Sequence, residues 1–316
     1  MRRGLGPVLV GALLAAGAVL TAFPFFWMLT TSLKPIAESY TYPPTVLPST
    51  ITLDSYLRLF RDFDFGRYLV NTIVVVLIGF VGMFFVAMAG YGFAKFRFRG
   101  KNFLFLIVLS TLMVPIQVTM IPTYLILNSL QLTNTLVGIA LPTLVSAFNI
   151  FLFRQFMTTI PDELLEAARL DGAGELRILW SIVLPVSKPI LAVGSVLTFI
   201  TGWNSFIWPL IIANDQQNYT LSVGISLLNK QLAINPPLQM AGASLMVVPI
   251  VLVFVIFQRY IVLGLRSSPT SSWPLRTQAI TSSERTGTDG WWAGWSAGSA
   301  ARRPTACSST RTSSAS

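Results

Sequence analysis

The sequence predicts an all-α integral membrane protein: six transmembrane helices that carry a charged helix-turn-helix on the cytoplasmic side. Three observations predict it. Hydrophobic residues make up 53% of the 316-residue chain and charged residues only 11%, where a soluble domain carries about 25% charge. Six windows reach the roughly 20 apolar residues that a helix needs to cross a hydrocarbon core. One short polar stretch, residues 166–185, reads EAARLDGAGELRILWSIVLP between two apolar blocks, and its charges must lie outside the bilayer.

The spans fall at about 7–30, 68–94, 103–125, 135–157, 190–213 and 240–264. In the first, Arg2 and Arg3 precede an apolar run that continues through Phe23, Trp27 and Leu29. That is longer than the 7–15 residues or so of a cleavable signal core, so it reads as a retained span. The third and fourth are interrupted by Pro115, Gln117, Pro122, Pro142 and Asn149. Proline inside a span is tolerable where neighbouring helices re-satisfy the freed carbonyls. The helical period is nearly invisible in these windows, as expected for helices that are apolar all round. Gly79, Gly82, Gly90 and Gly92 in the second span suggest close helix packing.

Orientation follows from the basic residues. With the N-terminus inside, the inner segments hold twelve of them, including Arg2, Arg3, Lys95, Arg97, Arg99, Lys101, Arg154, Arg169 and Arg177. The outer segments hold Lys34, Arg58, Arg61, Arg67 and Lys230. The excess of inner Lys and Arg predicts cytoplasmic termini and a cytoplasmic helix-turn-helix. The formal net charge of +10 is therefore mainly a topology signal, and no basic patch with interleaved aromatics suggests nucleic acid as a partner.

The chemical inventory is nearly empty. The chain has no His and a single Cys, Cys307, which leaves no imidazole base or metal ligand and no intrachain disulfide. No G-x-x-x-x-G-K-[ST] phosphate loop is present. Apart from their ends, the spans lack the carboxylates and bases that ion-coupled transporters keep at membrane depth. Energy for transport would have to come from another subunit.

The helix-turn-helix, within a cytoplasmic segment of about 158–189, can be read locally. Pro161 suits a first helical turn, and Asp162 and Glu163 favour the positive end of the helix dipole. Glu163, Glu166, Ala167 and Leu170 fall on one side, and Leu164, Leu165 and Ala168 flank it. Gly172 follows Asp171 where a left-handed C-cap is expected. A second helix is expected from near Ala173 to just before Pro185. The small Ala167 and Ala168 would let a partner's groove approach the backbone. On local physics alone, an ordinary amphipathic helix at the membrane surface is an equal reading.

Glu166-Ala167-Ala168, then Gly172, then Ile182, Leu184 and Pro185 resemble, with every spacing intact, the EAA loop of binding-protein-dependent ABC importer permeases, in the MalG-type carbohydrate branch. Shorter stretches are similar too: Tyr91-Gly92-Phe93-Ala94, Phe98-Arg99-Gly100-Lys101, Met113-Val114-Pro115, Gly202-Trp203-Asn204, Trp208-Pro209 and Phe257-Gln258-Arg259-Tyr260. The resemblance covers about residues 5–265. It implies that the helix bearing Glu166 is a coupling helix that docks on a separate ATPase, with Glu163, Glu166, Ala167, Ala168, Leu170, Asp171 and Gly172 at the contact. It also implies a homologous second permease subunit, two ATP-binding subunits that hold ATP and Mg, and an extracytoplasmic solute-binding protein resting on segments 31–66 and 214–239. The chain itself would hold no cofactor and no metal, would not be an enzyme, and would sit among membrane lipid in a bacterial or archaeal plasma membrane.

The substrate implied is a sugar or oligosaccharide. Polar and aromatic side chains at span depth are candidates for contact with it: Asn71, Gln117, Tyr124, Asn149, Trp203, Asn204 and Trp208. The same residues can instead join helices by packing and hydrogen bonding. A permease for glycerol phosphate or another non-sugar solute is an alternative, and a stand-alone channel or secondary transporter is a rival of a different class.

After Arg266 the character changes. Residues 267–316 hold 21 Ser or Thr, four Trp and almost no aliphatic residues. Such a segment cannot bury enough apolar surface to order itself. The composition predicts a disordered tail beyond a membrane domain of residues 1–266. An origin by frameshift or read-through fits this composition, and a regulatory cytoplasmic tail is the alternative.

Overall fold

The computed structural model describes residues 5–231 and 235–266. The expectations for Arg2, Arg3, residues 232–234 of the segment 214–239 and the tail 267–316 lie outside the described residues. The chain divides into two units, Met1–Ser268 and Pro269–Ser316, and every described residue belongs to the first.

That unit is helical throughout: α1 (Leu5–Ser32), α2 (Asp54–Asp62), α3 (Phe65–Lys95), α4 (Lys101–Thr111), α5 (Ile116–Ser129), α6 (Leu136–Ala140), α7 (Ala147–Met157), α8 (Asp162–Leu170), α9 (Glu175–Ile178), α10 (Leu184–Val186), α11 (Lys188–Trp203), α12 (Ile207–Ile212), α13 (Leu221–Gln231) and α14 (Pro236–Arg266). By length and composition four stretches can cross a membrane unbroken: Leu9–Ser32, Phe65–Lys95, Lys188–Ile212 and Pro236–Gln258. Two bent pairs bring the number to six if each is one span.

Those bent pairs fall in the two windows that the sequence marks as interrupted. In place of 103–125, α4 and α5 meet at a bend of 100°. Pro115 disfavours helix at the residue before it, and it stands extended at the head of α5 with φ −60° and ψ 133°. The backbone N–H groups of residues 112–114 turn back to carbonyls three residues earlier. In place of 135–157, α6 runs into a 3₁₀ turn at Leu141–Thr143 and meets α7 at 46°. Ser146 restarts the helix by accepting the Asn149 N–H (3.3 Å), the hydrogen bond of an N-cap.

Three buried clusters hold the helices together. One joins the C-terminal half of α3 to α7 and the charged hairpin through Val86, Tyr91, Phe153, Met157, Leu165 and Ile178. The second joins the N-terminal end of α3 to α2, α11, α13 and α14 around Phe65, Tyr68 and Trp203. The third packs α3 on α5, α6 and α12 through Val75, Leu127, Ile139 and Ile212. Of the four glycines suggested for close packing, two are decisive. A Cβ on Gly82 would lie 1.9 Å from the Leu144 carbonyl, and one on Gly90 would lie 2.6 Å from Phe153 Cβ. Gly79 is moderately close to Thr198, whereas Gly92 faces open space and plays no such part.

Candidate functional site

The charged hairpin is built by local chemistry. Pro161, extended at φ −59°, introduces α8 with Asp162 and Glu163 in its first turn. Its end is a Schellman closure: the Gly172 N–H donates to the Arg169 carbonyl (3.0 Å) and the Ala173 N–H to the Ala168 carbonyl (3.0 Å). This needs a left-handed residue after the C-cap, and Gly172 supplies it with φ +79°. Asp171 is the C-cap. Leu165 is fully buried in the first cluster. Glu163, Glu166, Ala167, Leu170, Asp171 and Gly172 are exposed, Ala168 is half-buried, and Leu170 is 89% exposed at the tip.

Beyond Gly172 the chain differs from expectation. The second helix begins at Glu175 rather than near Ala173, and it does not stop before Pro185. It widens into a π turn, Leu179–Val183, in which the Leu184 N–H reaches the Leu179 carbonyl, and it continues through Pro185 to Val186. A π turn relaxes the i→i−4 ladder, so a residue without an N–H and with a bulky ring can follow it. Leu179 and Val183 are buried, while Trp180 stacks on Phe84 (centroids 5.2 Å).

An ion pair and a hydrogen bond fasten this hairpin to α3, and the motif itself does not reveal them. Lys95, at the end of α3 and nearly buried, pairs with Asp162 (2.7 Å) and also donates to the Ile160 carbonyl. Arg169 pairs with Glu175 (2.7 Å), whose other oxygen accepts from the Tyr91 hydroxyl (2.9 Å). The hydrogen bond from Lys95 holds the Asp162 carboxyl below its ordinary range. That from Arg169 does the same for Glu175, and Glu175 in turn raises Arg169. Arg154 lies over Phe105 (3.9 Å to the ring centroid) and donates to the Phe93 carbonyl. Lys95, Arg97, Asp162, Leu165, Glu166 and Arg169 line a polar cleft of about 250 Å³ beside α8.

The polar residues at span depth separate into different settings. Asn71 donates to the Gln217 and Tyr219 carbonyls (2.8 and 3.0 Å) and holds the segment after α12 on α3. Trp203 donates to the Met246 carbonyl (3.0 Å) and Trp208 to the Gly138 carbonyl (3.3 Å), both inside packed clusters. Asn204 is exposed at the break between α11 and α12. Gln117 is exposed on α5, and Tyr124 lines a small apolar recess with Met120, Ile121 and Ile211. Asn149 lines a different space, a cavity of about 250 Å³ between α3, α7 and α11. Thr143, Ser146, Thr198 and Thr201 share its wall. The sequence does not single them out, because an isolated hydroxyl in an apolar helix carries no pattern; only Ser146, beside the helix break, has a local cue.

The structure gives a bundle of apolar helices with a charged hairpin fastened at one end, and comparison with known proteins supplies its class. Residues 87–267 match the family described as binding-protein-dependent transport system inner membrane component, and the chain belongs to that family. It is 35% identical over 276 residues to the arabinooligosaccharides transport system permease protein AraQ of Halalkalibacterium halodurans, covering 84% of this chain and 98% of that protein. It is 36% identical over 279 residues to the sn-glycerol-3-phosphate transport system permease protein UgpE of Yersinia enterocolitica, with the same coverage. Among solved structures it is similar to a bacterial ABC transporter involved in the import of the acidic polysaccharide alginate. There the TM-score is 0.72 at 26% identity, over 81% of this chain and 96% of that one.

The protein is thus a permease subunit of a binding-protein-dependent ABC importer, a multi-pass protein of the inner or plasma membrane. It is not itself the ATPase and carries no cofactor; ATP is bound by partner ATPase subunits. The family also implies a second permease subunit and a solute-binding protein in the assembly.

Proposed function

We propose that this chain imports a sugar or oligosaccharide by alternating access, driven through α8 by a pair of ATP-binding subunits. The observation that carries the reading is the fastening of the hairpin. Leu165 and Asp162 tie α8 to α3 through the first cluster and Lys95, and Glu175 of α9, paired with Arg169 of α8, accepts from Tyr91 of α3, while Glu163, Glu166, Ala167, Leu170 and Asp171 are exposed. A displacement imposed on that outer face is passed to α3 and α7 as rigid elements. Glu166 would meet a basic group of the ATPase, and the small Ala167 would admit close approach.

The basic residues Lys95, Arg97, Arg99 and Lys101 stand at the end of α3 that carries the hairpin. This supports a cytoplasmic α8 and cytoplasmic termini. Residues 31–66 and 214–239 then face outward, where a binding protein that delivers the solute would rest, and a homologous second permease subunit would complete the passage. Residues 1–266 serve as the permease domain in this reading. The arabinooligosaccharide and alginate systems among its relatives favour a sugar, and the glycerol-phosphate permeases are the alternative.

The test is co-purification of the chain with an ATPase from its native membrane, followed by reconstitution in vesicles. Import of a neutral oligosaccharide that stops when the ATPase is inactivated is the expected result. Import that persists would identify a stand-alone channel or secondary transporter.

A further inference from the structure

The cavity between α3, α7 and α11 carries an inference that rests on the sugar-importer reading. Gly79 stands near the middle of α3 and lines it, with Thr198 from α11 and the broken helix α6–α7 opposite. Irregular backbone at membrane depth is tolerated where it is buried in protein or lines a cavity, and here the break at 144–146 does the latter. Asn149, only 5% exposed, sits just past that break. Its Nδ2 contacts Thr198 Oγ1 at 3.5 Å, but its Oδ1 is buried with no hydrogen-bond partner. A buried acceptor without a donor costs about 1–3 kcal/mol, so this oxygen invites a donor from whatever occupies the space.

The chemistry of the wall selects that occupant. The other polar groups on it are the hydroxyls of Thr143, Ser146, Thr198 and Thr201, and none of its described lining residues is ionisable. A phosphate or carboxylate entering this wall would leave water without a cation to meet it, which is prohibitive for a buried charge. A ligand hydroxyl can donate to Asn149 Oδ1 and accept from a threonine at once. The size, about 250 Å³, is near the lower end of ligand pockets and suits one ring of a sugar rather than a chain.

We infer that this subunit contributes its own contact site for the solute, a neutral polyhydroxylated ring held by Asn149 and Thr198. The experiment uses the whole complex reconstituted with its binding protein. Uptake of labelled arabinose oligosaccharides and of sn-glycerol 3-phosphate is measured alongside binding-protein-stimulated ATP hydrolysis. Asn149→Leu and the isosteric Thr198→Val are each expected to lower oligosaccharide uptake about five- to tenfold, the scale of one lost hydrogen bond, with stimulated hydrolysis within twofold of wild type. Uptake unchanged in both variants overturns the contact site and leaves the sugar-importer reading standing. Uptake and hydrolysis that fall together in both variants assign the pair to packing and overturn it as well. Wild-type vesicles that import only sn-glycerol 3-phosphate overturn the sugar reading itself.

Discussion

The two ends of α3 are fastened by opposite chemistries. At its C-terminal end the clamp is ionic: Lys95 to Asp162, and Tyr91 to a Glu175 already paired with Arg169. At its N-terminal end the clamp is neutral. Asn71 donates to two carbonyls of the segment after α12, and Thr72 Oγ1 accepts the Leu221 N–H (2.8 Å). Further along the same segment, the Asn134 side chain accepts from the N–H groups of Asn214 and Asp215 (3.1 and 3.0 Å). The bonds of Asn71 and Thr72 are short, directional and partly or fully buried, so they hold one geometry. The ionic ones lie partly in water, where their strength depends on pH and salt. In the orientation proposed above, one rod thus has a stiff outer end and an adjustable inner end, the arrangement expected if motion enters from the cytoplasmic side.

Breaking the inner end should have the largest effect. Glu166→Lys reverses the charge on the outward face of α8, and Gly172→Asp sets a second carboxylate beside Asp171 at the φ +79° turn that ends the helix. Both positions are exposed and neither touches the bundle core. Import should fall at least tenfold, a loss of about 1.4 kcal/mol or more in coupling, while the protein still inserts and binds its sister subunit. Uptake assays beside quantitative membrane blots check this, and wild-type import in both variants would refute the coupling role of α8.

Breaking the outer end should destabilise before it uncouples. Asn71→Leu leaves the Gln217 and Tyr219 carbonyls without their donor in a mostly buried site, at a cost of about 2 kcal/mol. A lower thermal midpoint of the purified complex is expected, with ATP hydrolysis per intact complex little changed. If instead hydrolysis collapses at unchanged stability, the outer end is part of the drive and the contrast fails.

The contrast can be sharpened with acid. Asp162 and Glu175 both titrate below their ordinary values of 3.8 and 4.5 in the folded protein. Groups with depressed folded values stabilise fully above their unfolded values and lose that contribution as pH falls through the folded ones. The inner clamp should therefore be constant from pH 8 down to about 5 and weaken below about 4.5, while the outer clamp, which has no titrating group, should not respond. Thermal midpoints of wild type and Glu175→Gln across that range test it. The variant should start lower at neutral pH and converge on wild type in acid. Parallel, offset curves would mean that the Glu175 charge adds nothing to the pH dependence, and coincident curves that Glu175 contributes nothing.

How much of this is legible in the sequence depends on whether the cause is local. The Schellman end of α8 follows from one glycine at one spacing, and the apolar spans from composition alone. The π turn that carries the hairpin through Pro185 is not legible, because proline as a helix terminator is a rule about regular ladders. Nor is the sharp bend at 112–115, since Pro115 warns of an interruption without giving its angle. The ion pair of Lys95 and the hydrogen bond of Tyr91 join residues 67 and 84 positions apart, and no helical period links them. For the same reason Asn149 looks like six other polar residues in the sequence. Only the fold puts Trp203 and Trp208 in packed clusters and leaves Asn149 on a cavity wall with its Oδ1 unpartnered.

The smallest effect should come from the chain beyond both ends. Residues 267–316 are rich in Ser and Thr and nearly free of aliphatic side chains, so they have little with which to grip a helix bundle. The family match ends at residue 267, and α14 ends at Arg266. Everything that fastens α3 at either end lies before that point. Deleting 269–316 should therefore leave import within twofold of wild type, and the thermal midpoint should be unchanged. A tail that regulates the ATPase would instead make the truncated complex hydrolyse ATP faster or slower at equal import. Hydrolysis measured with and without the binding protein separates the two, because an inert tail changes neither rate and a regulatory one must change their ratio.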